Sequence, residues 1–249
     1  MVPGERVLRA VNPGDWLCVA ADRLELRGMI RQGSGLRRLK WPVDWAHEQW
    51  LGGRRVVCVA NGPGFLLARK AVEVASERMT SISRLLSIGL CGALNPAYGK
   101  GDIFVAERIR VAETGDMYRA EVPEARRRHV RGLLVSMDRV AQTPAEKAAL
   151  RKEHDADAVD MEAGAVAAQA QRLGVAFACI RVVSDLAEEG FDLDWNACRS
   201  AEGRFLGRKI LWAAFERPHV RIPELMRLYR LSLETARTLG EFLAECEFR

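Results

Sequence analysis

Val159-Asp160-Met161-Glu162-Ala163, taken together with Arg181-Val182-Val183-Ser184-Asp185, spells one complete α/β unit. A short apolar run ends at Asp160, small residues with helical spacing follow Glu162, and Val175–Ile180 (VAFACI) reads as a buried strand. Glu162 therefore opens a helix and Asp185 ends the next strand. Open α/β sheets place their ligands outside the carboxyl ends of their strands. Two acids are thus delivered to one region by two adjacent elements.

The alternation extends outward from this unit. Asp15–Ala20, Arg55–Ala60, Arg84–Gly89, Asp102–Val111 and Gly132–Val135 read as strands. Helices are expected from Leu24 to Ile30, from Gly64 to about Met79, from Pro144 to Arg151 with Thr143 as N-cap, and from about Trp195 to Phe215. Continuous apolar strands alternating with helices imply a sheet covered on both faces. The expected fold class is α/β, a three-layer α/β/α sandwich around a mixed, largely parallel central sheet. Residues 31–40 (RQGSGLRRLK) are turn-rich and basic without a period. Trp41, Trp45 and Trp50 after them fit a packing cluster or subunit contact better than a ligand box. One domain is expected over residues 1–216, followed by a helical appendix at 217–249.

Composition narrows the function classes. A net charge of +5 with scattered Lys and Arg is too weak a footprint for nucleic-acid binding. The six cysteines form no CxxC pair, and with only four dispersed histidines neither a zinc site nor another cofactor is expected. Cys18, Cys58 and Cys179 lie in apolar runs, as reduced core cysteines do. The N-terminus lacks an apolar signal region, and nothing approaches the roughly 18 uninterrupted apolar residues of a membrane span. The expected location is cytoplasmic, at most peripheral to the inner membrane surface.

Breaking an N-glycosidic bond to a purine sets three tasks: protonating the departing base, holding the ribose hydroxyls and placing a nucleophile below the anomeric carbon. Asp185, at a half-buried strand end, fits the acid. Glu162 fits a carboxylate accepting hydrogen bonds from a 2′,3′-diol, its ionised form favoured by the helix dipole. Each residue alone reads better as ordinary helix or turn chemistry. Their order and spacing favour the site.

VDMEAGAVA…GVAFACIRVVSD resembles the signature of the purine nucleoside phosphorylase and nucleosidase superfamily, which includes methylthioadenosine/S-adenosylhomocysteine nucleosidases. Ser87–Leu94 (SIGLCGAL) followed by Gly101–Val105 (GDIFV) is similar to the family's glycine-rich turn and next strand. The blocks run from about residue 15 to 190 in the family's order. The resemblance implies the nucleoside phosphorylase fold and a homodimer or larger homo-oligomer. It implies Asp185 as the acid at purine N7, Ser184 beside it, Glu162 and Met161 at the ribose, and Gly89 in the turn. Glu25 resembles the carboxylate that positions water in the nucleosidase branch, with Asp22 close enough to replace it.

Where phosphorylases carry an arginine and a hydroxyl in the turn, this chain has Ser87 and Leu90, which favours hydrolysis. Phosphorolysis stays open if Arg27 or Arg69 reaches in. Val140 stands where nucleosidases have an aromatic residue, so adenine, the expected base, would rely on backbone groups near Ala141. The tail from Arg217 (RPHVRIPELMRLYRL) resembles the hopanoid-associated members, thought to remove adenine from adenosylhopane. Its apolar stripe, from Ile222 through Met226 and Tyr229 to Leu243, fits packing on its own domain or on a partner subunit, or a membrane-surface helix. The leading expectation is a nucleosidase acting on a 5′-substituted nucleoside, with lipid-linked nucleosides among the candidates. A phosphorylase and a non-catalytic nucleoside-binding protein are the alternatives.

Overall fold

A computed structural model describes residues 14–248; the N-terminal stretch read above for a signal region lies outside them. The apolar runs form β1 (Asp15–Ala20), β4 (Arg54–Ala60), β5 (Ile82–Ala93) and β10 (Ala176–Asp185). They lie in the order β4-β1-β5-β10, all parallel. β6 (Ile103–Val111) is antiparallel to β10, β8 (Val130–Ser136) is parallel to β6, and the short β9 (Ala158–Asp160) is parallel to β8. β9 also pairs antiparallel with the end of β5, so β5-β10-β6-β8-β9 closes into a ring. β7 (Met117–Arg119) pairs with β6, and β2 (Ser34–Arg38) and β3 (Trp45–Leu51) extend the other edge beyond β4.

Neighbouring strand residues point to opposite faces, and here both faces are apolar. Leu17, Val57 and Leu85 pack with Ala71 of α2 (Phe65–Ser76) and Val166 of α4 (Ala163–Leu173). Cys18, Leu86 and Ile180 pack on the other side with Met29 of α1 (Arg27–Gln32) and with Leu239 and Phe242 of α6 (Pro218–Glu245). The result is the three-layer α/β/α sandwich of the nucleoside phosphorylase fold. α3 (Pro144–His154) starts with a full capping box: Glu146 N–H donates to Thr143 Oγ1 and Thr143 N–H to Glu146 Oε2, both at 3.2 Å.

Two expectations change. The helix expected from Trp195 begins only at Gly207, as α5 (Gly207–Glu216), leaving residues 186–206 irregular. Side chains there bond to non-helical backbone: Asp194 accepts from Ala197 N–H, and Asn196 bonds both backbone groups of Val140. Such local bonds compete with the helix. Residues 34–38, which have no period, are an edge strand, and all of them are exposed, so no alternation marked it. Of the tryptophans, Trp41 and Trp45 pack against the core, Trp45 also under the Arg38 guanidinium at 4.1 Å, and Trp50 is exposed.

The tail read as an appendix forms α6, and its second half belongs to the core. Gly28 on α1 and Gly240 on α6 meet so closely that a Cβ on Gly240 would lie 2.0 Å from the Gly28 carbonyl carbon. Only two glycines permit this crossing.

Candidate active site

The carboxyl ends of β1, β4, β5, β8, β9 and β10 surround a cavity of about 530 Å³. Of the site residues read from the sequence, Glu25, Val140, Ala141, Met161, Glu162, Ser184 and Asp185 line it. Gly89 lies behind the wall. A Cβ there would stand 2.7 Å from Glu25 Oε1, so glycine makes room for that carboxylate. A wider groove of about 900 Å³ opens elsewhere, beside Trp16, Arg54 and Phe248, away from this constellation.

Glu25 follows β1 and folds back over the turn. Its Oε2 accepts from the N–H groups of Ala21 (2.8 Å) and Asp22 (3.1 Å), and its Oε1 from Leu90 N–H at 3.3 Å. Asp22, the other candidate, is exposed and caps Leu24 N–H. Burial pushes the Glu25 pKa up, against the opposing pull of its backbone donors and of Arg181.

Glu162 is the N-cap of α4, but its Oε1 accepts from Gly64 N–H across the cavity floor at 2.9 Å. The dipole was expected to keep it ionised; instead burial, and next the Asp160 charge, push its pKa up to about 8. Desolvation outweighs a helix-end effect worth about 0.3–1 kcal/mol.

Asp185 is 6% exposed and held on both oxygens. Ser184 Oγ is 2.6 Å from Oδ1, and Lys147 Nζ of α3 is 2.5 Å from Oδ2. Lys147 is fully buried and was missed in the sequence. The only signal is a lysine on the face of α3 that also carries the buried Leu150. Arg181 was missed as well. Fully buried beneath the two glutamates, it donates to Asp160 Oδ2 through Nε (3.0 Å) and Nη2 (2.5 Å) and to Ser87 Oγ at 2.8 Å. Its charge offsets part of the burial penalty on both glutamates.

The cavity has more aromatic surface near Val140 than the sequence suggested. Phe191, Trp195 and Phe205 of the irregular segment line the cavity in edge-to-face contact with one another. Among the described residues, the N–H and C=O of Ala141 carry no protein partner, while those of Val140 are taken by Asn196. Arg27 and Arg69 do not line the cavity. Arg139 and Arg204 do, each engaged by an acid, Glu146 at 2.7 Å and Asp44 at 2.6 Å. Leu228, Leu231 and Ser232 of α6 complete the wall. Among the described residues no cluster of His, Cys, Asp and Glu could hold a metal ion.

The sandwich, with its cavity of acids and apolar side chains at the strand ends, places the protein in the nucleoside phosphorylase class of α/β folds. The sequence model of the phosphorylase superfamily matches residues 46–205, and the chain belongs to that family. Among solved structures, the 5′-methylthioadenosine/S-adenosylhomocysteine nucleosidase of Campylobacter jejuni superposes with a TM-score of 0.70 at 15% identity, covering 93% of this chain and 97% of that one. S-adenosylhomocysteine nucleosidase from Streptococcus pyogenes gives 0.71 at 15% identity (93% and 95% covered). Futalosine hydrolase of Helicobacter pylori gives 0.67 at 16% identity (92% and 95% covered). At these identities the likeness is one of fold. A comparison with curated protein sequences finds no match.

Proposed function

We propose that the protein is an N-ribosyl hydrolase that releases a purine, adenine, from a 5′-substituted nucleoside. The observation that carries this reading is the position of Glu25. Three backbone N–H groups, two after β1 and one in the glycine-rich turn, already converge on its carboxylate. A phosphate entering that corner would meet a carboxylate and the apolar Leu90 side chain instead of free donors. Water suits the corner: Glu25 accepts its proton as it attacks the anomeric carbon. Glu162 keeps Oε2 for the ribose hydroxyls, and Met161 packs beside them. Asp185 gives its proton to the departing purine, whose edge pairs with the backbone of Ala141 between the aromatic side chains.

The 5′ substituent is apolar in this reading, and a lipid-linked nucleoside such as adenosylhopane fits it. Leu228 and Leu231 give the cavity an apolar wall. On the same helix Ile222, Met226 and Tyr229 are exposed, as are Leu211, Trp212 and Phe215 of α5. Arg208, Arg227 and Arg230 stand among them. Apolar and basic side chains mixed in this way suit the surface of an anionic bilayer, while no described helix is long and apolar enough to cross one.

The test is adenine release from methylthioadenosine, S-adenosylhomocysteine, adenosine and a long-chain 5′-alkyl adenosine, each with and without phosphate. Hydrolysis yields free ribose product at a rate indifferent to phosphate. Activity that stalls without phosphate and yields a ribose 1-phosphate would make the protein a phosphorylase. No turnover of any purine nucleoside, with binding intact, would make it a binding protein.

A further inference from the structure

The buried Lys147 is used by neither the fold's core nor the chemistry above, and its surroundings are specific. Its Nζ reaches Asp185 Oδ2 at 2.5 Å, the Leu186 carbonyl at 2.6 Å and the Glu189 carbonyl at 2.9 Å. An ammonium has three N–H donors and no acceptor, so all three are satisfied; a neutral amine would turn a lone pair toward an oxygen. Lys147 therefore spends all three N–H donors on these oxygens, one of them on Asp185 Oδ2. It does not line the cavity, whereas Asp185 and Ser184 do.

On the other oxygen, Ser184 Oγ stands 2.6 Å from Asp185 Oδ1 and 3.1 Å from the Cys91 carbonyl oxygen. One hydroxyl hydrogen cannot serve both. Given to Oδ1, it satisfies an ionised Asp185. Given to the Cys91 carbonyl, it leaves Ser184 Oγ as an acceptor for a proton carried on Oδ1. The pair of contacts thus accommodates Asp185 in either protonation state with no heavy atom moving.

We infer that Lys147 is a positioning residue for the general acid: by occupying Oδ2 from behind the cavity wall, it confines the transferable proton of Asp185 to Oδ1, the oxygen beside Ser184. The inference rests on the reading of Asp185 as the acid. In the transfer, the Oδ1–H bond breaks as a purine N–H bond forms, and the Ser184 hydroxyl turns back to the carboxylate. Lys147 keeps its protons throughout. Replacing it leaves the carboxyl free to place its proton on the oxygen facing away from the base.

The experiment is a cycle of Lys147→Met, Asp185→Asn and the double variant in the full chain, assayed by adenine release. Asp185→Asn should lower kcat roughly 10²–10⁴-fold, the usual loss of a general acid. Lys147→Met should lower kcat at least tenfold with KM within about threefold, and should cost nothing further in the Asp185→Asn background, because the proton it steers is already gone. A residue that only holds the Leu186–Glu189 loop would lower kcat again in that background or raise KM instead; either result overturns the inference. If Lys147→Met does not fold, Lys147→Gln, which keeps N–H donors for the loop but no charge, is read the same way. Full activity in Asp185→Asn would sink the reading of the acid. A large loss in Asp185→Asn with an unaffected Lys147→Met would sink only the role of Lys147.

Discussion

Glu25 and Glu162 are both carboxylates on the cavity wall, and burial raises the pKa of each, but the consequences differ. Glu25 acts as a base only when ionised, and its raised pKa delays that form to higher pH. Activity should therefore climb with pH beyond the ordinary glutamate range, and a kcat/KM–pH profile should lose this limb in Glu25→Gln. A limb unchanged by the substitution would move the base elsewhere. For Glu162, the folded value of about 8 exceeds the ordinary 4.5. The unfolded chain therefore ionises first, and stability is lost as pH rises from roughly 4.5 toward 8. Glu162→Gln removes the ionisable group and should raise Tm relative to the parent at pH 8 but hardly at pH 4.5, by about 2–4 °C per kcal/mol recovered. Calorimetry at the two pH values checks this, and a gap of the same size at both would leave burial without the assigned cost. That Glu162 would sit in the pocket was legible from VDMEA. Its protonation was not, because neither the burial nor the Asp160 charge beside it can be measured along a sequence.

At the scale of elements, legibility follows the hydrophobic period. Strands buried on both faces announced themselves as apolar runs, and α3 by its Thr-Pro start. β2 carried no signal because every side chain on it is exposed. The helix expected from Trp195 starts late because Trp195 and Phe205 face the cavity while Asp194 and Asn196 bond loop backbone. The α1–α6 crossing was equally hidden, since glycine at two distant positions says nothing about their meeting. It does yield a sharp expectation. Gly240→Ala would place a methyl 2.0 Å from the Gly28 carbonyl carbon, and such overpacking costs typically about 1–3 kcal/mol. Its Tm should fall by several degrees. Gly207→Ala, where a Cβ meets nothing within 4 Å, is the control and should leave Tm unchanged. Equal Tm values for the two variants would mean that the helices part freely.

Across the whole molecule, α6 links three surroundings. Its far end, through Ala236, Leu239, Phe242 and Leu243, is core; its middle, through Leu228 and Leu231, faces the cavity; its near end exposes Ile222, Met226 and Tyr229. Ending the chain at residue 217 would strip the core together with the wall, so the helix's role in specificity must be probed by point changes. If the apolar wall receives the 5′ substituent, kcat/KM should rise with alkyl chain length, each buried methylene contributing up to about 0.8 kcal/mol, a factor of roughly four. Leu228→Ser with Leu231→Ser should flatten that series while leaving adenosine itself nearly unaffected, because adenosine has no chain to bury. The exposed end calls for a separate readout. Co-sedimentation with vesicles rich in anionic lipid should fall in a Trp212→Ser, Phe215→Ser variant and with rising salt, since both the apolar and the basic side chains would contribute. If that variant instead changes the sedimentation coefficient of the free protein and vesicles bind neither form, the face is a contact between copies of this chain. A chain-length series that is flat in the parent protein would remove the lipid-linked substrate and leave a nucleosidase of broader scope.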